Sequence, residues 1–179
     1  MLVSGKCSHL SGKLIMTEGS LPKLILKAEE KELQKQIWGT YNSGKVREAW
    51  ELAEAFYVRH TESLYAKFIY AVMCGDYSQD ASLPCDEQKK LMGIAKKLIK
   101  EVYLDKLTPQ YEFYGHAQNE YFWFNEMYEE QYNLGVRLAG EGNLRGYYYM
   151  CVGASSLAKK RLLEGQGREN AESWAKKAV

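Results

Sequence analysis

Apolar residues recur three and four positions apart along most of the chain, which is the spacing that places side chains on one face of an α-helix. The first such run ends in a turn at Asn42-Ser43-Gly44 and contains Leu24, Ala28, Leu33, Ile37 and Tyr41. The pattern resumes directly after the glycine with Val46, Ala49, Ala53 and Phe56. These runs predict a helix over 21–42, a tight turn, and a second helix over 45–60.

Similar runs predict seven helices in all, joined by short turns into antiparallel hairpins. Thr61 is predicted to cap the third helix, which ends at Gly75-Asp76, and the fourth spans 87–107. Thr108-Pro109 resembles an N-cap followed by proline at the first helical position, and it predicts a long fifth helix reaching Ala139. The sixth and seventh helices are predicted over 144–164 and 168–179.

No strand is predicted, because the chain lacks sustained alternation of apolar and polar residues. Only three prolines interrupt it, which suits long helices. The expected fold is therefore all-α. Residues 1–20 are rich in Ser, Gly and Lys and are expected to form a flexible N-terminal arm or to be a remnant of cloning, and residues 21–179 a single helical domain.

The paired runs resemble the tetratricopeptide-repeat (TPR) family of helical hairpins. The first match places Leu33 and Ile37 on one helix, Gly44 at the turn, and small or aromatic residues on the next helix at Ala49, Ala53 and Phe56. The second match uses Leu64, Phe68, Ala71 and a turn at Gly75-Asp76-Tyr77, and the third uses Ala154, Ala158, Gly167, Ala171, Ala175 and Ala178. The resemblance implies a TPR-like α-solenoid or a compact helical stack.

The chain also departs from the family pattern in three ways. Gly44 and Gly75 are 31 positions apart, whereas the family repeats about every 34 residues. Gln36 and Thr40 are polar at places that are usually apolar, and 111–139 shows no recognisable repeat. The resemblance therefore says more about fold class than about a specific function.

Proteins of this family bind peptides along the concave face formed by the first helix of each hairpin. The resemblance places on that face Gln34, Trp38, Tyr41, Asn42, Tyr65, Ile69 and Met73. Trp38 with Tyr41 is the candidate anchor pair, because buried aromatic residues often dominate binding energy at interfaces. Packing of Trp38 against a neighbouring helix explains it about as well. Of the lysine, arginine and asparagine set with which some members capture a terminal carboxylate, only Asn42 is present.

Composition narrows the possible functions. The formal net charge of +1 offers no overall attraction to nucleic acid or to an anionic membrane. The 14 tyrosines suit either a half-buried contact surface or the core. Cys7, Cys74, Cys85 and Cys151 show no Cys-x-x-Cys spacing, and reduced thiols in the cytoplasm are expected. Cys74 and Cys151 lie in apolar runs and are expected in the core, and a Cys74–Cys85 disulfide is the less favoured alternative.

Motifs for catalysis or for cofactor binding are missing from the sequence. It contains no glycine-rich phosphate loop, no nucleophile elbow and no His-Glu-x-x-His motif, so no cofactor and no enzymatic activity are expected. One alternative uses Glu112, His116 and Glu120, which share a helix face if that segment is helical. This face is the candidate for a metal-binding protein or an enzyme.

Charge is distributed unevenly along the second half of the chain. Residues 111–132 contain five acidic residues and no lysine or arginine, whereas residues 137–179 contain eight basic and four acidic residues. The two segments are expected to be solvated faces, to pair within the molecule, to bind a charged partner, or to drive self-association of a structural subunit.

The leading functional hypothesis is a cytoplasmic interaction module, an adaptor or a chaperone, that binds a protein or peptide segment in a concave, aromatic-rich groove. A metal-binding protein or enzyme, and a self-assembling subunit, are the alternatives. Nucleic acid is not an expected partner, and no membrane span is predicted.

Overall fold

The computed structural model describes residues 28–165, together with 172–173 and 176–177, and this part of the chain is helical without strands. One 3₁₀ helix at Thr108–Gln110 accompanies seven α-helices, and the prediction of an all-α fold is confirmed. The α-helices are α1 (Ala28–Asn42), α2 (Val46–Arg59), α3 (Leu64–Tyr77), α4 (Cys85–Leu104), α5 (Tyr114–Phe124), α6 (Tyr128–Gly140) and α7 (Arg145–Leu163).

Each helix packs mainly against the helices next to it in sequence, which produces a stack of helices rather than a closed bundle. The exception is α3, which contacts α2, α4 and also α5. Eleven of its 14 residues are buried, so α3 is the centre of the core. Its sequence explains this position, because α3 carries apolar or small side chains around its whole circumference.

The turn between α1 and α2 forms as predicted. Gly44 has a φ of +83°, a left-handed conformation that glycine adopts without a steric penalty. The predicted cap of the third helix is wrong by two positions: Ser63, not Thr61, accepts a hydrogen bond from the Ala66 amide at 3.2 Å. The Ser63 hydroxyl also donates to Glu30 at 2.8 Å, which joins the start of α3 to α1.

Gly75 is not a turn residue, contrary to the prediction. It is buried inside α3, where an added Cβ would collide with the ring of Phe124. The glycine is needed because α5 approaches α3 closely at this point. The turn begins after Tyr77 instead.

The predicted long helix over 109–139 is also wrong, because the structure divides it into the 3₁₀ helix, α5 and α6. Between α5 and α6 the Asn125 side chain donates to the Tyr121 carbonyl at 2.7 Å, and Glu126 has a φ of 58°. An asparagine side chain that bonds a backbone carbonyl in this way competes with the hydrogen bonds of the helix. The chain therefore turns at 125–127 without a glycine or a proline.

Helices α6 and α7 approach each other through glycine. A Cβ added to Gly135 would lie 2.6 Å from the Met150 nitrogen, and one added to Gly153 would lie 2.8 Å from the Tyr132 nitrogen. A Cβ on Gly146 would meet the backbone of Ala139. The backbones of α6 and α7 therefore approach so closely at these three glycines that a residue with a side chain would not fit there.

Buried apolar residues in the described part of the chain form two clusters. The larger one takes its members from α1 to α5. The smaller one consists of Leu134, Leu138 and Tyr149, with Phe122 packed against it. The α6–α7 pair thus has a small core of its own beside the main core.

Some expectations fall on residues that the structure does not describe. The arm at 1–20 and the predicted start of the first helix at Leu21 lie outside the described residues, as do most positions of the predicted seventh helix. Within the described residues, none of the helices combines the length and the apolar character needed to cross a membrane.

Substitution of Gly146 by alanine tests the close packing of α6 and α7. We expect Gly146→Ala to lower the free energy of unfolding by about 1–3 kcal/mol, because the new methyl group has backbone rather than flexible side chain against it. The measurement is urea denaturation followed by circular dichroism.

Gly93→Ala in α4 is the matched control. Nothing lies within 4 Å of a Cβ at Gly93, so alanine should there raise the stability by about 0.5–1 kcal/mol through helix propensity alone. Equal effects of the two substitutions would contradict the close approach.

Candidate functional site

A trough is lined by side chains of α1, α3, α5, α6 and α7 together with residues 111–113. It consists of two adjoining cavities that share Trp38 and His116. The rings of these two residues stack with centroids 5.9 Å apart and an interplanar angle of 28°. The Trp38–His116 pair therefore stands at the junction of the two cavities.

The first cavity, here called the large chamber, has a volume of about 760 Å³. Its apolar wall consists of aromatic residues, namely Trp38, Tyr65, Phe68, Tyr111 and Phe113. Phe68 and Phe113 stack with centroids 4.9 Å apart, which fixes the 111–113 segment against α3. Gln34 and Asn42 add uncharged polar groups to the lining.

Charges on the large chamber are mainly positive. Lys31, Lys35 and Arg145 line it, against one carboxylate from Glu112. The Lys35 Nζ also lies 3.8 Å from the Glu32 Oε2. Both side chains are 78% exposed, and such an ion pair contributes little to stability. Lys31, Lys35 and Arg145 therefore supply the positive charge that a ligand would meet here.

The second cavity, here called the acidic chamber, has a volume of about 280 Å³. It lies between α1, α3, α5, α6 and α7, and its lining residues are Trp38, Tyr41, Val72, Asp76, His116, Asn119, Glu120, Trp123, Gln131, Tyr148 and Val152. Two carboxylates and several aromatic rings thus enclose a space about the size of one large side chain.

A chain of polar contacts crosses the wall of the acidic chamber. The Gln131 Nε2 donates to the Asn119 Oδ1 at 2.9 Å, and the Asn119 Nδ2 donates to the Glu120 Oε1 at 3.0 Å. The same Glu120 oxygen lies 3.2 Å from the His116 Nε2. Asn119 and Gln131 are both buried, so these contacts satisfy polar groups that water cannot reach.

Asp76 is the most perturbed carboxyl of the trough. Burial raises its pKa from the ordinary value of 3.8 to about 6, and repulsion from Glu120 acts in the same direction. Interactions with the Tyr41 hydroxyl and with His116 oppose this rise without cancelling it. Burial also raises the pKa of Tyr41, with Asp76 as the next cause.

Five of the seven predicted binding residues line the trough. Gln34, Asn42 and Tyr65 line the large chamber, Tyr41 lines the acidic chamber, and Trp38 lines both. Trp38 and Tyr41 contact each other edge to face, with centroids 5.6 Å apart. Whether these residues bind a partner stays a prediction.

The other two predicted residues, Ile69 and Met73, do not reach the trough. Both have no exposed surface and belong to the main core. The TPR resemblance placed both residues on an open concave face, whereas α3 is covered on almost every side.

The proposed metal face of Glu112, His116 and Glu120 does not form as predicted. Glu112 precedes the start of α5 and is exposed, so it does not share a helix face with the other two. Across the described residues, no group of three or more His, Cys, Asp or Glu is positioned to hold a metal ion. His116 and Glu120 instead belong to the wall of the acidic chamber.

Sequence reasoning missed Asp76, Asn119, Gln131 and Tyr148. They lie on four different helices, and no local motif connects them. The one available signal is polarity at buried helical positions, which is visible only once the burial pattern is known.

The unevenly charged segments contact each other within the molecule near the end of α7. The Lys160 Nζ lies 3.4 Å from the Glu126 Oε2 and 5.9 Å from the centre of the Tyr128 ring. This contact joins the end of α7 to the turn before α6. It is one of the arrangements that the charge distribution suggested.

Two cysteine expectations need correction. Cys74 is buried as expected, but Cys151 is exposed, and Cys74 and Cys85 are free thiols. The Cys74–Cys85 disulfide does not form in this structure. Burial raises the pKa of the Cys74 thiol to about 11, so it remains protonated and unreactive near neutral pH.

Comparison of the chain with protein-family models, with characterised proteins and with solved structures finds no match. The resemblance to the TPR family therefore stays a prediction from the sequence. The geometry of the trough is the ground for the function proposed below.

Asp76 should give the protein a measurable pH dependence. Its pKa is higher in the folded than in the unfolded state, so the folded state binds more protons between pH 4 and 6, and its stability falls as the pH rises through that range. Asp76→Asn removes this penalty. The free energy of unfolding of the variant, relative to that of the wild type, should therefore increase by about 2 kcal/mol between pH 4 and pH 7.5. Urea denaturation measures this difference.

Glu62→Gln, at an exposed turn, controls for the loss of one negative charge. A stability difference between Asp76→Asn and the wild type that stays constant across this pH range would show that Asp76 is not the perturbed group.

Proposed function

We propose that this chain is a protein-interaction module that binds a segment of a partner protein in the trough. The observation that carries the proposal is that two neighbouring chambers share the stacked Trp38–His116 pair in their lining. A trough lined by residues of five helices suits an extended segment better than a compact ligand. An adaptor or a chaperone in the cytoplasm is the corresponding cellular role.

Aromatic side chains in the large chamber support this proposal. Trp38 and Tyr111 are half-buried and keep part of their surface open to the chamber, while Tyr65 and Phe68 form its floor. Aromatic rings of this kind offer large contact area at a low cost in conformational entropy. They are the expected anchors for an apolar side chain of the bound segment.

Charge on the large chamber indicates the chemistry of the segment. Lys31 on α1 and Arg145 at the start of α7 face the same cavity. An acidic residue in the segment, close to its apolar anchor, would complement them. We therefore propose a segment that combines an apolar anchor with at least one carboxylate.

Self-assembly through the charged segments is less well supported. Lys160 and Glu126 already form a contact within one molecule, and this contact reduces the charge available for association between copies. The trough needs no second copy to be complete. Binding of a partner segment therefore remains the preferred proposal.

Peptide selection with a charge-reversed variant tests the proposal. A displayed library of random peptides is selected on the wild-type protein, and the dissociation constants of selected peptides are measured by fluorescence anisotropy. We expect the double variant Lys31→Glu, Arg145→Glu to bind them about tenfold or more weakly, because two favourable charges become unfavourable.

The double variant Lys90→Glu, Lys97→Glu is the matched control, since both lysines are exposed on α4 and line neither chamber. It changes the net charge equally and should keep the affinity within about twofold. Selection of no peptide, or equal loss in the two double variants, would sink the proposal.

A further inference from the structure

We infer that the acidic chamber binds the ammonium or guanidinium group of a lysine or arginine side chain carried by the bound segment. The inference deepens the proposed function and rests on it for the source of the cation. The chemistry of the chamber itself is independent of that source. Three observations, described below, lead to it.

The first observation is an acceptor without a donor. Glu120 only accepts hydrogen bonds when ionised, so Asn119 must present its amide nitrogen to it. The Asn119 oxygen then faces Gln131, which must present its own nitrogen. This order leaves the Gln131 Oε1 with no partner among the described residues, although Gln131 is only 1% exposed and lines the chamber.

Exchanging the oxygen and the nitrogen within both the Asn119 and the Gln131 amides would not give every polar atom a partner. It would place the Asn119 oxygen against the Glu120 carboxylate, so the carboxylate fixes the direction of the whole chain. A buried carbonyl without a donor is costly, and a ligand that donates hydrogen bonds would relieve that cost. The wall of the chamber thus contains an acceptor, the Gln131 Oε1, that lacks a hydrogen-bond donor.

The second observation is the charge around the cavity. Asp76 and Glu120 are carboxylates, and His116 is the only other charged or readily charged group that lines it, since Tyr41 and Tyr148 are neutral phenols. Among the described residues that line the chamber there is no lysine or arginine that could pair with either carboxylate. Half-buried carboxylates in this arrangement attract a cation more strongly than surface carboxylates do.

The third observation is the aromatic wall. Trp38, Trp123 and Tyr41 line the same cavity as the carboxylates, and aromatic faces attract ammonium and guanidinium groups. Val72 and Val152 supply apolar surface for the aliphatic part of a long side chain. The volume of about 280 Å³ admits one such side chain.

A pair of small probes tests the inference directly. N-acetyl-lysine methylamide carries the ammonium group, and N-acetyl-norleucine methylamide is its neutral counterpart of similar shape. Binding is measured by NMR chemical-shift titration and by the fluorescence of the tryptophans. We expect the lysine probe to bind at least tenfold more tightly than the norleucine probe. Equal binding of the two probes would overturn the inference.

Variants locate the binding site of the probe. Glu120→Gln together with Asp76→Asn should weaken binding of the lysine probe at least tenfold, whereas Glu62→Gln, at an exposed turn outside both chambers, should leave it unchanged. Circular dichroism checks that each variant is folded. Unchanged binding to the folded double variant would place the cation elsewhere and contradict the inference.

The pH dependence supplies a third measurement. Binding of the lysine probe should weaken as the pH falls below about 6, because the pKa of Asp76 is raised to about 6 and its protonation removes a negative charge. Protonation of His116 would act in the same direction, while Tyr41 and Tyr148 stay neutral. Binding that is constant between pH 5 and pH 8 would contradict a role for Asp76.

Selected peptides separate this inference from the proposed function. If their affinity falls at least tenfold when lysine or arginine is replaced by norleucine, both stand. If they bind the trough and tolerate this replacement, the proposed function stands and the inference fails. If no peptide binds but the lysine probe and butylammonium do, a free amine rather than a partner segment is the occupant, and both statements are overturned as worded.

Discussion

The near-complete burial of α3 is the constraint on which the rest of the structure depends. This helix exposes little surface to water, so its neighbours must cover it from several sides, and small residues set how closely they can do so. Gly75 is the clearest case, because the ring of Phe124 occupies the space that any side chain would need. The placement of α5 against α3, and hence one wall of the trough, follows from a single missing methyl group.

The same burial creates the chemistry of the acidic chamber. Asp76 lies near the end of α3 between the buried residues Gly75 and Tyr77, and it is itself only partly exposed. Removal from water makes its ionised form unfavourable, and Glu120 on α5 adds repulsion. The polar chain through Asn119 and Gln131 holds Glu120 in place. The fold therefore holds two like charges close together, at a cost in stability.

Local patterns predicted the parts of the fold that local interactions determine. The α1–α2 hairpin is an example, since helical spacing and the left-handed Gly44 are both readable from a short stretch. The break at 125–127 was missed because an asparagine side chain and a left-handed glutamate replace the usual glycine or proline. Gly75 was misread because its role depends on a helix 40 positions further along the chain. Trp38 and Tyr41 were predicted to line a groove and do line the trough, whereas Asp76, Asn119 and Gln131 meet only after folding.

The division of the core into two clusters has a consequence for motion. The α6–α7 pair carries its own small core, and it supplies Gln131, Arg145 and Tyr148 to the trough, while α1 and α3 belong to the main core. Elements with separate cores open with separate free energies, and hydrogen exchange can distinguish them. Because the residues that line the trough come from helices with separate cores, we expect hydrogen exchange to give the α6–α7 pair and the main core different opening free energies.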